Sequence, residues 1–366
     1  MFRTTFGFVL WQHNMSRIAT TNTTSTSQIE TAATAAAGIN NCGAAAVPLI
    51  DIGDGSTIDT DFETSKELVR ALQNSGFAIV RSPLLGTDLQ SSALQASSDF
   101  LANPPKRESA TNTDINSNGS PIVEVIQHPT DPKSYAMMDS YQEFDDVSPI
   151  LGDYVRSLQS IKRLVLKHIA IGLGMENAEF FTSLHDQDND TLRLIRYHPT
   201  HSTTTGNRCK EHSDYGSITL LSTDGNSGLE LYHENVWKPV PHVPGALVVN
   251  VGSLLSGWTN DSLKATLHRV AGPASSNSGT PNELLVQAVC HARTSIAFFA
   301  DPNQDVSKVL AKTNNIHSVE EDSFLQGMSS VAEYIAWRSG GSGATRSGVS
   351  FTEQESKRIH RNDEDK

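Results

Sequence analysis

The chain is short of cysteine, of positive charge and of long apolar runs. Its 366 residues include three cysteines, Cys42, Cys209 and Cys290. An odd number without CxxC spacing argues against a disulfide framework and for a reducing compartment, here the cytoplasm. Lys and Arg total 28 against 41 Asp and Glu, a formal charge of -13. Such a surface repels polyphosphates and anionic bilayers, so neither nucleic acid nor membrane is the expected partner. The apolar run FGFVLW near the start is far too short to cross a bilayer. Neither G-x-S-x-G nor a Walker phosphate loop occurs, which removes two large classes of nucleophilic and nucleotide chemistry.

What is present is an ordinary globular balance, 37% hydrophobic and 19% charged. Residues 1–45 are rich in Thr, Ser and Ala and carry only Arg3, Arg17 and Glu30 as charges. They read as a disordered leader; the alternative is a mitochondrial transit peptide, with Met15 as a second possible start. Residues 46–185 read as a mixed, helix-rich front region. VPLIDIG is an apolar strand and turn, and Leu68, Val69 and Leu72 space a helix that Gly76 ends. FAIV reads as a buried strand and DLQSSALQASSDFLA as a second helix, stopped before Pro104-Pro105. Residues 108–147 are polar and read as loop. Apolar residues from Ile150 to Val165 then recur at three- and four-residue steps and predict a helix over 148–173.

From Leu192 the period changes. LRLIRY, SITLLS, LELYH, VWKPV, GALVVNVG, TLHRV, LLVQAV and TSIAFFA are short β-rich runs parted by Gly, Pro, Asn and Ser. This predicts an antiparallel sandwich or barrel over 186–302. A helix at 303–338, with Ser318 and Glu321 at capping-box spacing, is expected to pack on it. The Gly/Ser-rich and then charged tail, 339–366, reads as disordered.

CKEHSDYGSITLL holds a candidate metal site. Extended backbone points residues i and i+2 to one side, so His212 and Asp214 would project together. Alone, such a pair also fits a surface hydrogen-bonding role. His268, at the end of TLHRV, is the best third member; its plain alternative is a satisfied core histidine. Two imidazoles and one carboxylate with vacant positions suit Fe(II) that must bind a co-substrate and O2. The same ligands also suit Zn(II) and a hydrolase. Arg293 and Ser295, again i and i+2, offer a guanidinium and a hydroxyl that can clamp a distal carboxylate. An oxygenase that chelates a 2-oxo acid needs that pair; a hydrolase does not. Asn250 and Gly252 read as turn positions, Trp258 as packing, and Cys209 as structural.

In order along the chain, VPLIDIG, LVRALQNSGFAIV, LRLIRYHP, HSDYGSITLL, LELYHENVWKPVPHVPGALVVNVGSLLSGWTN, ATLHRV and RTSIAFF resemble the iron- and 2-oxoglutarate-dependent dioxygenases of the isopenicillin N synthase-like superfamily. The resemblance covers about residues 46–338. It implies a mainly β fold with flanking helices, a double-stranded β-helix or jelly roll. It implies Fe(II) held by His212, Asp214 and His268, and 2-oxoglutarate held by Arg293, Ser295 and Tyr197. The reaction implied is hydroxylation, desaturation or ring closure of a small organic molecule, coupled to conversion of 2-oxoglutarate and O2 to succinate and CO2. Substrate contacts are expected from Tyr215, which follows the metal Asp, from Phe299, on the strand face of Arg293, and from Arg196, beside Tyr197. The family often has Asn where this chain has Ile195, and the segment between His268 and Arg293 is longer than usual. The chain is expected to act as a monomer. The alternatives are an iron oxidase of the same fold that does not use 2-oxoglutarate, and a metal-free jelly-roll binding protein.

Overall fold

A computed structural model describes residues 47–59, 61–104, 123–200, 206–272 and 290–303. All lie in one compact unit, residues 44–366. The expected leader, C-terminal helix and tail, the LLVQAV run, and the PASSNSGTPN stretch between His268 and Arg293 lie outside the described residues.

The strands are β1 (Leu49–Asp51), β2 (Phe77–Arg81), β3 (Ile126–Gln127), β4 (Lys133–Met138), β5 (Asp190–Tyr197), β6 (Cys209–His212), β7 (Ile218–Thr223), β8 (Leu229–His233), β9 (Val236–Pro239), β10 (Leu247–Val251), β11 (His268–Val270) and β12 (Arg293–Ala300). Eight form one sheet, in the order β1-β2-β10-β7-β12-β5-β4-β3, and four form another, β6-β11-β8-β9. Among the described residues, only β1 and β2 pair parallel; every other ladder is antiparallel. Strands of both sheets line one cavity. This is the jelly-roll core, and its sheet interleaves strands distant in sequence.

Alternation assigns the two faces of the large sheet. On β12, Ile296, Phe298 and Ala300 join Leu192 and Leu194 of β5 and Leu220 of β7 in the main core. Against that face lie helices α1 (Phe62–Asn74), α2 (Thr87–Ala102), α3 (Tyr141–Val147) and α4 (Pro149–Gly172); α5 (Phe180–Ser183) and α6 (Ser253–Trp258) are short. Leu68 and Leu72 of α1 and Leu151, Leu158, Val165 and Leu166 of α4 are fully buried there. The opposite face of β12 carries Arg293, Ser295, Ala297 and Phe299 toward the smaller sheet.

Asp61 caps α1, its Oδ1 accepting from Thr64 N at 3.2 Å. Gly76 follows the helix with φ +71, and a Cβ there would lie 2.1 Å from the Lys264 carbonyl oxygen. The reading of 108–147 as loop fails for its second half. β3, β4 and α3 fall there, and α3 starts with a capping box in which Ser140 accepts from Glu143 N while Glu143 accepts from Ser140 N. The front region thus adds β1 to β4 to the same sheet as the core. Strand β4 escaped notice because Lys133 and Tyr135 face the cavity, so its polar residues do not look like those of a buried strand.

Candidate metal centre and its cavity

Antiparallel pairing of β6 and β11 sets His212 directly opposite His268. Their rings lie 4.3 Å apart, centre to centre. Asp214 stands just past the end of β6, not within the strand. Its backbone oxygen accepts from Ser253 N at 2.8 Å, so the start of α6 fixes the loop. Asp214 Oδ1 then lies 3.9 Å from His212 Nε2 and 3.8 Å from His268 Nε2. Among the described residues, this is the group of three side chains whose ligand atoms all fall within 4.8 Å of one another.

The remaining atoms of these side chains are already committed. His212 Nδ1 donates to the Lys210 carbonyl at 2.8 Å and His268 Nδ1 to that of Thr266 at 3.1 Å. That choice of tautomer leaves both Nε2 lone pairs for a cation. Asp214 Oδ2 accepts from Thr219 Oγ1 at 2.5 Å and from Asn250 Nδ2 at 2.7 Å, which leaves Oδ1 as the free ligand atom. Burial pushes the Asp214 carboxyl up, but the two imidazoles and these two donors outweigh it and hold it below the ordinary range. Burial and the neighbouring His212 push His268 down to about 4, toward the neutral form that ligates a metal. His212 takes the opposite shift: burial lowers it, but Cys209 and Asp214 more than offset this and raise it. The donor set therefore fits a divalent cation, with one nitrogen from each imidazole and one carboxylate oxygen. The His212 side chain is 42% exposed, against 10% for His268 and 9% for Asp214, so the open side lies at the His212 rim.

Deeper in the cavity, three strands hold Lys133, Tyr197 and Arg293 in one row, since Tyr197 is in register with both of the others. Arg293 is almost wholly buried, and its Nε donates to the Asn226 carbonyl at 3.1 Å. Its guanidinium carbon lies 5.2 Å from the Tyr197 ring centre. Ser295, fully buried on the same face of β12, has an Oγ without a partner. A buried hydroxyl of that kind needs a ligand to satisfy it. Burial raises the Tyr197 phenol and keeps it neutral.

The structure brings His212, Asp214, His268, Tyr197, Arg293 and Phe299 to the cavity wall, with Ser295 on the same strand face. Arg196 and Tyr215 are not part of that wall. Arg196 points to the helical face of β5, where Nη1 donates to the Ser98 carbonyl at 3.3 Å. Tyr215 is 40% exposed beyond the metal loop. Asn250 is not in a turn but in β10, as the buried donor to Asp214. Cys209 lies on the wall, with Sγ 3.0 Å from Lys133 Nζ and 4.0 Å from His212 Nδ1. Trp258 is packing, as expected. Arg193 and Tyr135 line the cavity; Arg193 had no sequence signal beyond its place in a strand, and Tyr135 falls in a stretch that reads as loop.

Residues 188–302 match the model of the 2OG-Fe(II) oxygenase superfamily. Over that stretch the chain is similar to the 2OG-Fe(II) oxygenases. Proline hydroxylase buaE of Petromyces alliaceus is 35% identical over 164 residues, 42% of this chain and 48% of that protein. The 2-oxoglutarate-dependent dioxygenase lolO2 of Epichloe uncinata is 36% identical over 163 residues, 42% of each. The chain thus spans less than half the length of these curated relatives. In fold it is similar to a full-length Neurospora crassa protein solved in complex with alpha-KG and 5-formyluracil, at a TM-score of 0.65 and 24% identity. That likeness covers 82% of this chain and 97% of the other. No described helix is long and apolar enough to cross a membrane.

Proposed function

We propose that the protein is an Fe(II)- and 2-oxoglutarate-dependent dioxygenase that hydroxylates, desaturates or cyclises a small organic molecule. The observation that carries this reading is the set of three ligand atoms left free when every other polar atom on their side chains is bonded. His212, Asp214 and His268 would hold the iron, which leaves room for a co-substrate and O2. The iron, when bound, supplies the means to activate O2 and oxidise an unactivated C–H bond.

The chain's own part is to bind, orient and exclude water. Arg293, with Ser295 Oγ and the neutral Tyr197 hydroxyl, would grip the distal carboxylate of 2-oxoglutarate. Arg293 and Ser295 are both buried, so the anchor would lie on the enclosed side of the cavity. A primary substrate would then enter over His212. One curated relative is named for 2-oxoglutarate, which supports the co-substrate, and the matching family description names Fe(II) beside it.

The test is succinate formation from 2-oxoglutarate with Fe(II) under air. The account expects Fe(II)-dependent succinate, and an Arg293→Ala variant with about tenfold or weaker affinity for 2-oxoglutarate but unchanged Fe(II) affinity. O2 uptake that needs iron but not 2-oxoglutarate would assign the chain to an oxidase chemistry instead.

A further inference from the structure

One charged group on the cavity wall is left over once the metal and the 2-oxo acid are provided for. Arg193 lies on β5 on the face of Ile195 and Tyr197, and it lines the cavity. Its guanidinium carbon sits 4.1 Å from the Tyr135 ring centre on β4. A ring face stabilises the cation but accepts none of its N–H bonds in the plane of the fork. Its Nε is buried with no hydrogen-bond partner. Among the described residues, no carboxylate pairs with it. The residue as a whole is half-buried, but a buried N–H is ordinarily paired, because leaving its hydrogen bond unmade costs free energy.

Formal charges around the cavity sharpen the point. Fe(II), the Asp214 carboxylate and a dianionic 2-oxo acid together leave one negative charge, which Arg293 cancels. Lys133 is matched by Asp131, whose Oδ2 lies 3.0 Å from Nζ. Of these three cations on the wall, Arg193 alone has no counter-charge, and a monoanion would neutralise the filled site.

The placement also separates Arg193 from the co-substrate anchor. Arg293 is in register with Tyr197, and Ala297 with Arg193, four residues further along. That is about 13 Å at the rise of an extended strand. Thr219, bonded to the metal carboxylate, is in register with Phe299. Arg193 therefore lies toward the metal end of β12 and two strands over from β7, about 10 Å across the sheet. Phe299 stands on the strand between. A 2-oxo acid stretched from the metal to Arg293 leaves this corner empty.

We infer that Arg193, flanked by Tyr135 and Phe299, is the recognition site for the carboxylate of the primary substrate, a small monocarboxylic acid. The guanidinium fork accepts a carboxylate in two parallel hydrogen bonds, and the two rings cover the hydrocarbon beside it. The substrate's far end then reaches the cation held by His212, Asp214 and His268. This inference rests on the iron and 2-oxoglutarate reading above.

The test measures binding, not turnover. The full chain is loaded anaerobically with Fe(II) and 2-oxoglutarate and titrated by calorimetry. The probes are L-proline, phenylacetate and benzoate, each beside its primary amide. At least one acid is expected to bind about tenfold or more tightly than its amide. Arg193→Gln should remove that preference, and Arg193→Lys should restore only part of it, since an ammonium keeps the charge but loses the fork. Fe(II) and 2-oxoglutarate affinities of both variants serve as the folding control and should stay within about twofold of the parent. The inference is overturned if amides bind as well as acids, if no acid binds, or if Arg193→Gln keeps the parent's preference. Failure of the parent chain to bind 2-oxoglutarate at all sinks the reading beneath it instead.

Discussion

Asn250 shows how much a single side chain can decide. It is buried in β10 and gives one of the two hydrogen bonds that turn Asp214 Oδ1 toward the imidazoles. Asn250→Ala leaves Thr219 as the only side-chain donor to Oδ2. Anaerobic Fe(II) titration should show affinity falling by about 10- to 100-fold, the usual cost of losing a group that orients a ligand. Unchanged affinity would mean that Asp214 is positioned by its backbone alone. A second residue, His185, carries a pH signature. It is buried between the Phe181 carbonyl, 2.7 Å from Nδ1, and Ser217 Oγ, 2.8 Å from Nε2. Burial drives it down to about 4. Below pH 6.5 the unfolded chain takes up a proton that the folded chain refuses until about pH 4. Stability should therefore fall as pH drops through that window, by about 3 kcal/mol at most from this group. The melting temperature of His185→Gln should be flatter with pH over the same range; an identical slope removes His185 as the cause.

At this scale the site was half legible. His212 with Asp214, and Arg293 with Ser295, could be found because period-two spacing states which residues share a side. Arg193, Asn250 and Cys209 could not. Their importance comes from which strands abut, and that depends on pairings between distant segments. Arg196 adjoins Tyr197 in sequence, but in a strand the neighbour faces away, and it points to the helical side of the sheet.

Helix α6 and the loop before it act as one element. A Cβ on Gly252 would lie 2.1 Å from the Gly216 backbone oxygen, two residues past Asp214. Gly252→Ala must displace that loop, so Fe(II) affinity and thermal stability should fall together, the latter by about 1–3 kcal/mol. A variant that melts like the parent would show that the loop yields freely. Asp61 is a milder case. Asp61→Ala removes the cap of α1, about 1 kcal/mol by denaturant titration, with no effect on metal binding. Among elements, apolar strands and the long α4 were readable from periodicity. Strand β4 alternates Lys133 and Tyr135 toward the cavity with Ala136 and Met138 toward the core. A strand that turns a lysine inward loses the contrast that sequence reading depends on.

For the whole molecule, the helices and the sheet that carries the site are one construction. Four strands of the front region extend the sheet whose middle strands, β7, β12 and β5, bear Thr219, Arg293 and Tyr197. Lys162 of α4, fully buried, pairs with Asp190 at 2.7 Å and so ties the outer helix to the first residue of β5. The fold class was visible from the change of period at Leu192, but the joining of the front strands to the core sheet was not, since it follows from long-range pairing. The most direct test of the central claim is anaerobic Fe(II) titration of the parent and of His212→Ala, Asp214→Ala and His268→Ala. The account predicts one tight site per chain, lost in all three variants while the circular dichroism spectrum is kept. Retention of that site in any one of them would contradict it.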